Sequence, residues 1–111
     1  MNWQELMART LEECGNFAKE VPDLIGAYEQ MGKVAKADGA LSQKTKEFMA
    51  LGIAIATRCD SCIGFHVQAL VRLKTTREEF CEGLAMATYM GGGPSYAFSA
   101  KALNAYDVFS K

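Results

Sequence analysis

Apolar side chains recur at three- and four-residue steps along most of the chain, and nowhere alternate with the period of two that a half-buried strand requires. Leu6, Leu11 and Phe17, with Met7, Cys14 and Ala18 on the same side, predict an amphipathic helix over 3–19. Pro22 suits the first turn of a second helix over 22–37, where Leu24, Ile25, Tyr28, Met31 and Val34 keep the spacing. In "ADGALS", Gly39 serves as a stop and Ser42 as the N-cap of a third helix over 43–57. That helix contains the strongly apolar run "FMALGIAIA", residues 48–56, which reads as buried on most sides. A break near 58–61 follows, with Asp60 or Ser61 as the cap of a fourth helix over 62–73. Thr76 and Glu79 have capping-box spacing and open a fifth helix over 77–90. "GGGPSY" ends it, and Pro94 begins a sixth helix that runs to 109. The expectation is an all-α fold: a single helical domain of about six helices over 1–111, with no linker, repeat or low-complexity segment.

Composition adds exclusions rather than a function. A chain of 111 residues that is 50% hydrophobic suffices for one core and is too apolar for disorder. Twelve basic and 13 acidic residues leave a net charge of -1, and no basic stripe supports nucleic-acid binding. So low a charge also offers little resistance to self-association. The longest apolar run is far short of the roughly 20 residues needed to span a bilayer. The first residues, "MNWQELMARTLEE", are charged and do not read as a secretory leader, so a cytoplasmic location is expected. In that compartment the four cysteines point to reactive or metal-binding thiols rather than a disulfide framework. Cys14 and Cys81 fall on apolar phases and read as small core residues; Trp3, Phe17, Tyr28, Phe48 and Phe80 read as core or subunit packing. The Gly91–Gly93 run lacks the lysine and preceding strand of a phosphate loop.

The chemistry concentrates in "RCDSCIGFH", residues 58–66. A two-residue spacer sets Cys59 and Cys62 one helical turn apart, close enough to form a disulfide. A helix beginning near Cys59 would aim free N–H groups and its positive dipole end at both thiols, favouring the thiolate. His66 follows Cys62 by four residues and Cys59 by seven, which places all three on one face. An imidazole there can accept a thiol proton or hold a thiolate. Three readings stand at this point: a redox-active dithiol, a zinc site, or an inert buried pair. Zinc would need a fourth ligand from Cys14, Cys81 or a carboxylate, and the chain has no other histidine. Haem attachment would require histidine where Ile63 stands.

The pattern widens upstream. Glu47, twelve residues before Cys59, completes E-x(11)-C-x(2)-C-x(3)-H, which resembles the AhpD-like group of the carboxymuconolactone decarboxylase family. "GGGPSYAFSAKAL", 91–103, is similar to the turn and final helix of that family's small members. The resemblance implies an all-α homotrimer or homohexamer with alkylhydroperoxidase-type chemistry and no cofactor. Cys62 would then be the thiolate that attacks a hydroperoxide, and Cys59 would resolve the sulfenic acid as a Cys59–Cys62 disulfide. Glu47 and His66 would form the proton relay, and a lipoyl domain or thioredoxin-like dithiol partner would reduce the disulfide. The family's true decarboxylases work without such a cysteine pair, which argues against that activity here. The alternative from another class is a non-catalytic redox sensor or interaction module switched by the same disulfide. From the residues alone, Glu47 is more simply a solvated charge on a first helical turn, because twelve helical residues carry it about 18 Å from Cys59. Asp60, between the cysteines, adds a negative charge that opposes thiolate formation.

Overall fold

The computed structural model describes all residues from Met1 to Lys111. Six helices follow one another: α1 (Trp3–Glu20), α2 (Pro22–Lys36), α3 (Gln43–Ala56), α4 (Asp60–Arg72), α5 (Arg77–Gly91) and α6 (Gly93–Phe109). The order and number match the periodicity of the sequence, and there are no strands. No helix is long and apolar enough to cross a membrane.

Local chemistry accounts for the helix limits. Asn2, Ser42 and Thr76 each accept a hydrogen bond from the backbone three residues on, and Glu79 returns the bond to the Thr76 N–H to complete the capping box. Such a cap is worth about 1 kcal/mol. Lys44 lies against Glu79, and these contacts hold the Glu79 carboxyl below its ordinary range, the Thr76 N–H being the main cause. Two expected signals act differently. Gly39 is not the cap of α2; the chain leaves the helix earlier, at Ala37, in an extended conformation. Gly92, by contrast, takes φ 75°, which only glycine adopts without strain, and it both ends α5 and starts α6.

The core joins Leu51, Ala54 and Ile55 of α3 to Ile63, Val67 and Leu70 of α4, and to Phe80, Leu84, Ala102, Ala105 and Tyr106 of α5 and α6. Tyr106 stacks on Phe80 at 4.7 Å between ring centroids, and its hydroxyl donates to the Thr75 carbonyl at 2.8 Å. α1 is fastened at its start, where Trp3 is buried and its indole N–H donates to Asn104. Further along, Met7 lies directly over Gly64 of α4, where any Cβ would collide with its sulfur.

Several apolar stripes remain uncovered within the single chain. α2 buries no residue, and Leu24, Tyr28, Met31 and Val34 all face out. α3 is not buried on most sides: Met49 and Ile53 are exposed, because α4, α5 and α6 cover only its other flanks. Phe17 is likewise exposed, while Phe48 is half-buried. Cys14 is exposed on the outer part of α1 and Cys81 is half-buried, so neither is the core residue that its phase suggested. Periodicity identifies an apolar face but not whether the same chain covers it.

Candidate functional site

The link between α3 and α4 is only three residues long, and its geometry sets the site. Thr57 closes α3, and Arg58 takes a left-handed conformation with φ 57°. The Arg58 N–H then donates to the Ile55 carbonyl, and the Cys59 N–H to the Ala54 carbonyl, at 3.1 and 3.0 Å. That pair of bonds is a Schellman closure. Cys59 therefore ends one helix with its amide and opens the next with its side chain, since its sulfur accepts the Cys62 N–H at 3.2 Å. The cap of α4 is thus Cys59, not Asp60 or Ser61, and the helix starts two residues earlier than its spacing indicated. Asp60 and Ser61 occupy its first turn. Ser61 is hydrogen-bonded to Thr10 of α1 at 2.7 Å, while one Asp60 carboxyl oxygen is buried without a partner.

This arrangement aims the positive end of α4 at both sulfurs. Cys59 and Cys62 form a disulfide, with Cα atoms 5.2 Å apart, inside the normal range for such bonds. Cys62 is exposed and Cys59 half-buried, so an incoming reagent meets Cys62 first.

Glu47 is not a solvated charge on a first turn. It sits in the second turn of α3 and is 5% exposed. The crossing of α3 over α4 brings its Oε2 to 2.7 Å from Nδ1 of His66. A buried carboxylate needs a hydrogen-bond partner, and His66 supplies it. With Nδ1–H donating to Glu47, Nε2 is left as the imidazole's free basic nitrogen. A base oriented by a carboxylate, one turn after an exposed thiol, is an arrangement suited to thiol activation. Of the four residues singled out from the sequence, Glu47 and His66 meet in a hydrogen bond and Cys59 and Cys62 in a disulfide, with His66 one turn after Cys62 on α4. No group of three or more histidine, cysteine, aspartate and glutamate side chains is arranged to hold a metal ion.

His66 and Glu47 also form part of a cavity of about 570 Å³ between the end of α2 and the facing sides of α3 and α4. Phe65 lines this cavity, whereas Ile63 is fully buried in the core, so of the two apolar neighbours only Phe65 faces a ligand space. Lys33, Lys36 and Arg72 line it as well. Sequence spacing did not single them out, because they lie on two helices and at helix ends where cations are ordinary.

Comparisons with known proteins bear on the family and the fold. The family model of the carboxymuconolactone decarboxylase family matches residues 22–105. An uncharacterised protein of Haemophilus influenzae is 34% identical over 107 residues, covering 96% of this chain and 95% of its own. One from Cupriavidus necator is 34% identical over 96 residues, covering 86% and 85%. The crystal structure of an apo carboxymuconolactone decarboxylase family protein from Legionella pneumophila superposes with a TM-score of 0.94 at 45% identity, covering 98% of this chain and 97% of that one. With the family model matched from the start of α2 to the last turns of α6, and a family structure superposing over nearly its whole length, the chain belongs to the carboxymuconolactone decarboxylase family.

Proposed function

We propose that this protein is a thiol-dependent peroxidase of the AhpD-like type, reducing organic hydroperoxides at the expense of a dithiol. The observation that carries this reading is the buried Glu47 held at 2.7 Å from His66, one turn after an exposed cysteine that is paired with a second at the start of a helix. In the reduced protein His66, oriented by Glu47, takes the Cys62 proton. The Cys62 thiolate attacks the terminal oxygen of ROOH, the O–O bond breaks, and the alkoxide leaves as ROH with a proton from His66. Cys62 becomes a sulfenic acid. The Cys59 thiolate attacks its sulfur and expels hydroxide, which leaves as water once protonated. A disulfide remains, with two electrons passed from the dithiol to the peroxide. A partner dithiol, of the lipoyl or thioredoxin-like kind, restores both thiols by exchange and is itself oxidised to a disulfide. Cys62 is the sulfur open to that partner. Cys59 is the better leaving group, because its thiolate keeps the N–H bond of the helix cap.

The experiment that tests this reading is mass analysis of the reduced protein after one equivalent of an alkyl hydroperoxide. The expected product is a loss of two hydrogens located to the peptide holding Cys59 and Cys62, with one ROH released. Persistence of both free thiols would sink the reading.

We further infer that the protein works as an assembly of copies of this chain. The uncovered stripes support it: Leu24, Tyr28, Met31 and Val34 on α2, and Met49, Ile53, Met86 and Met90 on α3 and α5, are each more than half exposed. Apolar surface of that extent is unusual on a monomer. Sedimentation should give a mass of three or six chains, unchanged by reductant. A stable single chain would refute the assembly, and a mass that switches with reductant would favour the sensor reading instead. We place the protein in the cytoplasm, where a reduced dithiol partner is at hand.

A further inference from the structure

The cavity beside His66 has a chemical bias that thiol activation does not use. Lys33 and Lys36 from the last turn of α2 and Arg72 from the last turn of α4 all line it. None of the three makes a salt bridge; the ion pairs of the chain are Lys44–Glu79 and Arg77–Asp107, and Glu47 is hydrogen-bonded to His66. Glu47 is the only acidic residue in the lining, and it is already engaged by His66. Cations at helix ends ordinarily offset the negative end of the dipole. At α2 that task falls to another residue, since the Lys46 ammonium donates to the Ala37 carbonyl at 2.6 Å. Three full positive charges therefore face the Glu47 carboxylate and two helix ends of about half a negative charge each, which leaves the cavity net cationic.

The rest of the wall is apolar or neutral. Phe65 and Ala69 of α4 and Leu73 at its C-cap follow one another at four-residue steps and line the cavity. Neither cysteine is in the lining; Phe65 and His66, about one turn after Cys62, are the lining residues that come nearest to the disulfide along α4. Arg72 lies ten residues beyond Cys62, about 15 Å along the helix. A ligand spanning that distance needs an anionic group at one end, an apolar stem, and its reactive group at the other.

We propose that this cavity selects hydroperoxides of amphipathic carboxylic acids, of the fatty-acid class, by binding the carboxylate with Lys33, Lys36 and Arg72. The stem lies along Phe65, Ala69 and Leu73, and the peroxide end points toward Cys62. This substrate assignment rests on the peroxidase reading above, but the anion-binding cavity does not.

The test has two arms. The first compares kcat/KM for a fatty-acid hydroperoxide with that for its methyl ester, which removes only the charge. A preference of about tenfold for the acid is expected, the sum of several exposed charge contacts of modest strength. Arg72→Gln and Lys36→Gln should each lower the acid-to-ester ratio, and Arg72→Lys should retain it; a purely structural role would depress both substrates alike. The second arm measures binding of decanoate and of decanol to the oxidised protein by chemical-shift perturbation. Shifts at His66, Phe65 and Ala69 with decanoate alone, lost in the Lys36→Gln/Arg72→Gln double variant, support the cavity even if no hydroperoxide is turned over, an outcome that would refute only the peroxidase reading. A ratio near one, or decanoate binding no better than decanol, would overturn the inference.

Discussion

Cys62→Ser is expected to reduce hydroperoxide turnover to the rate seen without protein, while leaving the helical fold intact. Serine matches the thiol in shape, and position 62 is exposed, so little packing is lost. What disappears is the nucleophile, since a hydroxyl so close in geometry remains protonated at neutral pH and cannot attack the O–O bond. Cys59→Ser should fail differently. Its cap function survives, because serine is itself a good N-cap residue and can accept the Cys62 N–H. Cys62 should then react once, stop as a sulfenic acid, and be trapped by a sulfenic-acid reagent. Steady-state assays and intact mass of both variants check the pair. Turnover retained by Cys62→Ser, or a sulfenic acid found on Cys59, would reverse the assigned roles.

The second large effect is expected at the Glu47–His66 pair. His66→Ala should slow both peroxide turnover and the alkylation of reduced Cys62 by iodoacetamide, on the order of a hundredfold for turnover, within the usual contribution of a positioned base. It should also destabilise the fold by about 1–3 kcal/mol, because Glu47 is left buried with no hydrogen-bond partner. Glu47→Gln should be kinder to stability, since an uncharged amide costs less to bury, yet nearly as harmful to turnover. A glutamine in that place can hold either tautomer of the imidazole, so Nε2 is no longer reserved as the base. The double variant His66→Ala/Glu47→Gln should therefore be more stable than His66→Ala alone. Denaturant unfolding and alkylation rates on the same four proteins measure both quantities. Equal alkylation of wild type and His66→Ala would remove the histidine from thiol activation, and additive stability losses would mean that the two residues do not depend on each other.

How much of this was legible beforehand varied with the range of the interactions. Helix starts were readable to the residue where an ordinary capping side chain opened the helix, as at Ser42 and Thr76. They were less so at α4, because its cap is a cysteine and the preceding turn closes with arginine, not glycine, in the left-handed conformation. Neither residue is the ordinary signal for its position. The cysteine pair and His66 were legible as a cluster because their proximity follows from helix geometry alone. Glu47 could be matched to a family pattern, but the residues by themselves favoured a solvated charge.

What the sequence determined by itself is the set of contacts made within one helix or one turn: six helices, their order, and a dithiol with a histidine on the same face. These follow from a repeat of 3.6 residues and from side chains that bond their own backbone. Only the tertiary structure decided the rest. The angle at which α3 crosses α4 buries Glu47 and sets its carboxylate on His66. The close of α2 against α3 and α4 gathers three cations on one cavity, and the stacking of α3 to α6 leaves the apolar faces of α2 and α3 outside. Such outcomes depend on how whole faces fit against one another, and a hydrophobic period states that a face will be covered without stating by what.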